Sequence, residues 1–350
     1  MHLLLSLLLW LSPTARPAPA AKFFAANDSH LRYTGRLDLT DPQKPRGWAP
    51  GIYLTARFKG PSCTVHLADE RPTGSFNYVD VVVDGTRTRY KLTAARTDLV
   101  VAQGLANGPH TLLVCKDTEA GQGYLQFEGL TCAQLLPLPA RPTHRIEFIG
   151  NSITCGYGAD TSQIGCHKGQ WFDQHNAYLA YGPRTARALG AEWQLTAESG
   201  IGLLHSCCDK KNLMPQEFGT VELHVGGRPW DATRYQPDVV TICLGQNDGV
   251  QDSVKFCGAY MVFLKTLRAD YPHAHFVCLT SPMADARLTA VLRRYLLGVE
   301  AAARASGETN IGHFFFTRRY IGGCDAHPSL AEQGQIADEL TAYLKQEMKW

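Results

Sequence analysis

The chain has 350 residues, room for two ordinary domains and a sizeable core. Its 34 Lys and Arg stand against 32 Asp and Glu, a formal charge of +2 that is too small to attract a polyphosphate, so no nucleic acid is expected as a partner. Hydrophobic residues at 45% and charged residues at 19% describe a folded body and exclude a disordered one.

Residues 1–20 contain the apolar run Leu3 to Leu11, followed by a Pro/Ala stretch with the small-x-small pattern Ala18, Pro19, Ala20. This predicts a signal peptide cleaved near Ala20 and a secreted or periplasmic protein, with an uncleaved anchor as the alternative. No later segment reaches the ~20 apolar residues of a membrane span without charges. Eleven cysteines in an exported chain permit disulfides, and the odd number leaves at least one thiol free. Cys155 and Cys166 bracket a short loop, and Cys207 and Cys208 are adjacent, so a loop staple is expected there; spacing does not give the pairing. Cys324 with His327, or His205 with Cys207, lacks a second half-site, so no metal is expected.

Residues 21–138 read as short strands: Gly51 to Phe58, Cys63 to Asp69, Tyr78 to Gly85, Thr88 to Thr93, Thr97 to Gly104, His110 to Asp117 and Tyr124 to Cys132. Period-two alternation between Gly, Pro or Asp boundaries, with no helical period, predicts a β-sandwich or jelly roll. A Pro-rich linker at residues 139–145 separates this from an α/β domain at 146–350. There the strands Arg145 to Ser152, Ala191 to Gly200, Pro237 to Asp248, His275 to Ser281 and His313 to Thr317 alternate with helices. The helices are expected within Asn176 to Gly190, at Ser253 to Ala269, near Ala284 to Ala305, and from about Leu330. That order predicts a flavodoxin-like, doubly wound parallel sheet whose ligand site lies at the carboxyl ends of the strands.

Four loops at those ends carry candidate chemistry. Gly150-Asn151-Ser152-Ile153 would lift the Ser152 hydroxyl above the sheet, unless Ser152 serves only as a helix cap. Ser199-Gly200-Ile201-Gly202 offers an exposed N–H, and the Asn247 amide in Gly245-Gln246-Asn247-Asp248 can donate to a developing oxyanion, unless that segment is only a turn. Cys324-Asp325-Ala326-His327-Pro328 supplies an imidazole beside a carboxylate. Trp171, Phe172 and Trp230 stand in long connections, each either a wall for a sugar ring or part of the core.

A nucleophile, two oxyanion donors and a base arriving in this order resemble the SGNH, or GDSL-like, hydrolase superfamily. Its blocks are similar to Ile149 to Gly158, Glu198 to Gly202, Gly245 to Asp248, and Cys324 to Pro328. Tyr33 to Leu39, the turn at Trp48 and Ala56 to Leu67 resemble the jelly roll that precedes this domain in family 2 carbohydrate esterases. The resemblance implies a serine esterase that removes O-acetyl groups from polysaccharides such as xylan or glucomannan, with no cofactor. It implies Ser152 as nucleophile, His327 as base, and the N–H groups of Ser152 and Gly202 with Asn247 as oxyanion donors, Gly200 being the alternative to Gly202. The superfamily places its Asp three residues before the His, where this chain has Cys324; Asp325 stands two before. A Ser152–His327–Asp325 triad and a Ser–His dyad both remain open. Two other readings are a non-catalytic carbohydrate-binding protein and a short-chain lipid or thioester hydrolase on the same fold.

Overall fold

The computed structural model describes residues 20–350, so the apolar run assigned to an export signal lies outside the described residues. The first half is all-β: β1 (Lys22–Ala25), β2 (Arg32–Thr34), β3 (Arg46–Gly47), β4 (Tyr53–Asp69), β5 (Tyr78–Val83), β6 (Thr86–Lys91), β7 (Arg96–Ala102), β8 (Pro109–Lys116) and β9 (Leu125–Leu136). Every pairing among them is antiparallel. The two strands expected at 51–58 and 63–69 are one strand, β4, interrupted by an irregularity between Lys59 and Cys63. Extra residues there change which parity faces inward: Leu54, Ala56 and Phe58 are buried before it, Cys63, Val65 and Leu67 after it. The first part of β4 pairs with β8 and the second with β7, so one strand serves two parts of the sheet around a single apolar core.

The second half contains β10 (Arg145–Gly150), α1 (Ser152–Cys155), α2 (Tyr181–Ala188), β11 (Glu192–Ala197), α3 (Met214–Glu217), β12 (Val239–Cys243), α4 (Ser253–Asp270), β13 (His275–Leu279), α5 (Ala286–Ala305), β14 (Ile311–Phe314) and α6 (Leu330–Met348). The five strands are parallel in the order β11-β10-β12-β13-β14, the doubly wound arrangement. Ile149, Ile242 and Phe276 pack under α4 and α5, while Ile146, Phe148 and Val277 pack under α2 and α6. Burial on both faces explains the continuous apolar runs in these strands. Helix α2 lies within the segment expected to carry it and begins only at Tyr181. Asn176 forms a side-chain turn on the Leu179 N–H (2.8 Å) and spends its amide on Asp80 and Asp160, which keeps 176–180 out of the helix.

The halves meet through polar groups that neither could leave buried alone. The fully buried Arg36 guanidinium lies over the rings of Phe218 and Trp230 and binds Glu147 on β10 at 3.0 Å. Tyr78 donates to Asp173 (2.8 Å), Arg89 to the His175 carbonyl (2.6 Å), and Tyr53 stacks on Trp193 with centroids 4.0 Å apart. Removing one partner of such a buried pair leaves an uncompensated charge, at a cost of about 3–5 kcal/mol.

Candidate active site

Strand β10 ends at Gly150, where a side chain would strike Thr154: a Cβ would sit 2.1 Å from its Oγ1. The cap of α1 is Asn151, whose Oδ1 accepts from the Ile153 N–H (3.3 Å) and whose carbonyl accepts from Thr154 (2.9 Å) and Cys155 (3.0 Å). Because Asn151 does the capping, the Ser152 hydroxyl is released from that local role.

Ser152 Oγ–H donates to Nε2 of His327 at 2.8 Å. On the other side of the ring, Nδ1 is 3.0 Å from the backbone carbonyl of Asp325. A carbonyl only accepts, so the ring proton belongs on Nδ1 and Nε2 carries the lone pair. Burial holds the imidazole pKa below its ordinary value, with the Asp325 carbonyl partly offsetting this. The neutral ring required of a base is therefore the favoured form at neutral pH.

Asp325, expected as a third member, does not bring its carboxylate to the imidazole. Oδ2 accepts instead from the Tyr157 hydroxyl (2.9 Å), and Oδ1 lies 3.6 Å from His167. The reason is backbone conformation: Asp325 and Ala326 both have positive φ, at 51° and 54°, which turns the carbonyl of Asp325 toward His327 and its side chain away. The loop is anchored by a Cys166–Cys324 disulfide and by the Cys324 N–H on the Gly158 carbonyl (2.9 Å). Cys166 thus pairs with a distant cysteine and not across the short loop, and Cys155 is a buried thiol. A second disulfide joins the neighbours Cys207 and Cys208.

Gly202, expected as an oxyanion donor, is placed away from this position. Its N–H donates to Ser206 Oγ (3.0 Å), and a Cβ there would lie 1.9 Å from the His205 carbonyl oxygen, so its glycine serves loop packing. Gly200, with φ of 81°, lines the pocket instead, beside Ser152 and Asn247. Asn247 donates one amide hydrogen to the Ile201 carbonyl (2.7 Å) and keeps a second for the pocket. The buried Asp248 carboxylate accepts from Leu203 (3.1 Å), Leu204 (2.6 Å) and His205 (2.9 Å), tying the Gly200 and Asn247 loops together. Asp248, which the sequence places in the strand-end motif without a role of its own, is marked there by being a carboxylate one residue past a strand-end Asn.

The pocket is about 500 Å³, walled by Tyr157, Trp171, Met283 and the Cys207–Cys208 pair. Of the three aromatic candidates only Trp171 is there, 50% exposed. Phe172 is buried edge-on against Phe76, and Trp230 is buried with Val221, Tyr235 and Arg36, so both belong to cores. Tyr157, not singled out in the sequence, packs its ring on His327 with centroids 4.3 Å apart. Burial and the neighbouring Asp325 push its hydroxyl pKa up to about 12, so it remains a donor. A larger hollow of about 620 Å³ lies among Arg268, Glu308 and Asn310, at the opposite end of the sheet, so size alone does not choose the site.

Residues 33–139 match the Carbohydrate esterase 2 N-terminal family, and 148–334 match the GDSL-like Lipase/Acylhydrolase family. Cellulase/esterase CelE of Acetivibrio thermocellus is 32% identical over 331 residues; the match takes in 91% of this chain and 40% of that longer protein. An acetylxylan esterase / glucomannan deacetylase of Cellvibrio japonicus is 29% identical over 337 residues, 93% of this chain and 91% of its own length. Among solved structures, a family two carbohydrate esterase from Clostridium thermocellum in complex with cellohexaose has a TM-score of 0.83 at 32% identity, covering 91% of this chain and 99% of that one. One from Cellvibrio japonicus has a TM-score of 0.85 at 27% identity, covering 95% and 99%.

Proposed function

This chain belongs to the family 2 carbohydrate esterases, and from that premise we propose that it is a secreted enzyme removing O-acetyl groups from polysaccharides such as xylan or glucomannan. The single observation that carries the mechanism is the 2.8 Å contact between Ser152 Oγ and the unprotonated Nε2 of His327 at the pocket wall. Nε2 takes the hydroxyl proton as Ser152 Oγ bonds to the acetyl carbon, and the carbonyl electrons move to oxygen. The N–H groups of Ser152 and Gly200, with the Asn247 amide, hold that oxyanion. The carbonyl re-forms, the sugar oxygen departs with the proton from His327, and an acetyl-serine remains. Water, deprotonated by His327, then attacks the acetyl carbon; the bond to Ser152 Oγ breaks, that oxygen takes the proton back from His327, and acetate leaves.

His327 is oriented by a main-chain carbonyl, which can stabilise the imidazolium as a dipole but cannot take its proton. Trp171, exposed beside Ser152, offers an aromatic face for the sugar ring that leaves. The test is release of free acetate from acetylated xylan and glucomannan by the secreted protein. Acetate from either polymer with wild type and none with Ser152→Ala supports the reading; no acetate from both polymers, with activity only on long-chain esters, overturns it.

A further inference from the structure

One carboxylate outside the four strand-end loops ends on them. Glu119 belongs to the turn between β8 and β9, in the all-β half, and is 2% exposed. Its Oε2 accepts from the Ser199 N–H at 2.7 Å, and its Oε1 accepts from the Ser199 hydroxyl. Ser199 immediately precedes Gly200, so clamping its N–H and its hydroxyl orients the residue whose carbonyl forms the peptide that carries the Gly200 N–H. On the far side, the Gly200 carbonyl accepts from Cys207 N–H at 2.9 Å. Glu119 Oε1 also lies 3.5 Å from His175, whose ring packs on Tyr157, which packs on His327.

The turn is itself rigidly built. The buried Lys116 ammonium donates to the carbonyls of Trp48 (2.8 Å), Thr118 (2.6 Å) and Glu119 (2.9 Å), and the Asp117 carbonyl accepts from Ala177 N–H (3.1 Å). Burying a carboxylate is unfavourable unless its hydrogen bonds replace water. Gluing the two halves together does not require it here, because Arg36–Glu147, Tyr78–Asp173 and Asp80–Asn176 already do so without ending on a pocket residue. The Glu119 bonds end on Ser199, which lines the pocket.

We propose that Glu119 is a positioning residue for the oxyanion site, through which the all-β half takes part in acyl transfer. This rests on the proposed esterase function. Misplacing a preorganised donor costs rate in the transition state and leaves ground-state binding alone, so Glu119→Ala is expected to lower kcat for 4-nitrophenyl acetate by roughly 10- to 100-fold with KM changed less than about twofold. Inhibition by phenylboronic acid, which forms a tetrahedral anion on a serine oxygen, should weaken by a similar factor. Glu119→Gln, able to accept from the N–H and donate to the hydroxyl of Ser199, should restore kcat to within about threefold of wild type. A folded Glu119→Ala with wild-type kcat and boronate inhibition overturns the proposal, as does a loss confined to KM. Should Glu119→Ala not fold, Ser199→Ala is read the same way: a drop in kcat and boronate affinity supports positioning, and unchanged values overturn it. Wild-type protein and Ser152→Ala run alongside separate the two ideas, since equal rates for those two would sink the esterase reading itself.

Discussion

The loops that bring Ser152 and His327 together, 175 positions apart, are held by different means. The serine loop is local: a glycine that can approach Thr154, an Asn that caps α1, and a short helix ending at Gly156 with φ of 77° all lie within seven residues. The histidine loop is tertiary. Its anchors are a disulfide to Cys166, a hydrogen bond to Gly158 and two residues at positive φ, and its ring leans on Tyr157 from the serine loop's own continuation. The lesson is that a nucleophile can be positioned by chain stiffness, whereas a base arriving from elsewhere needs cross-links and stacking.

The largest effects should come from deleting the two groups that meet. Ser152→Ala and His327→Ala are each expected to lower acetyl-ester turnover by about 10³-fold or more, and the double variant by no more than the worse single one, because the pair acts as a unit. Additive losses would break the comparison. Next, Asn247→Ala should lower kcat by roughly 10²- to 10³-fold with KM little changed; a rise in KM at constant kcat would mean that Asn247 serves the turn or ground-state binding.

Opening the cross-link sharpens the contrast. Cys166→Ser with Cys324→Ser is expected to reduce kcat by about tenfold while Ser152 is still phosphonylated by a fluorophosphonate, with loss of fluoride, since only the base loop loosens. Asp325→Asn should cost less than about tenfold, because its main-chain carbonyl and not its carboxylate faces the imidazole. A loss as deep as that of His327→Ala would restore the triad.

The smallest effect is one of pH. Burial lowers the His327 pKa, so protonation that removes the base begins below the ordinary histidine value of about 6.5. Activity should hold as pH falls through that value and decline beneath it. An acid limb of kcat/KM centred above it would contradict the burial.

Much of the α/β half was legible because its signals are short-range: apolar runs for strands buried on both faces and glycine at strand ends; the Ser329–Glu332 capping box that opens α6 was a further signal, present but unused. The order of strand-end motifs then ranked Ser152, Asn247 and His327 as one constellation. Gly200 and Gly202 could not be separated, since both are glycines two apart and the choice depends on Ser206 taking one N–H. Trp171, Phe172 and Trp230 share a composition signal and differ only in what packs on them. Phe76 covers Phe172, Arg36 covers Trp230, and Trp171 is left open over the pocket.

By itself the sequence determined periodicity, turn chemistry and the chemical identity of the groups at each strand end, because these follow from backbone sterics and side-chain alternation within a few residues. Only the tertiary structure decided that Cys166 joins Cys324, that the Asp325 carbonyl faces His327, and that Glu119 from the other half reaches Ser199. Each of these depends on a distance between residues far apart in the chain, and side-chain chemistry alone does not encode which partner will stand at 3 Å.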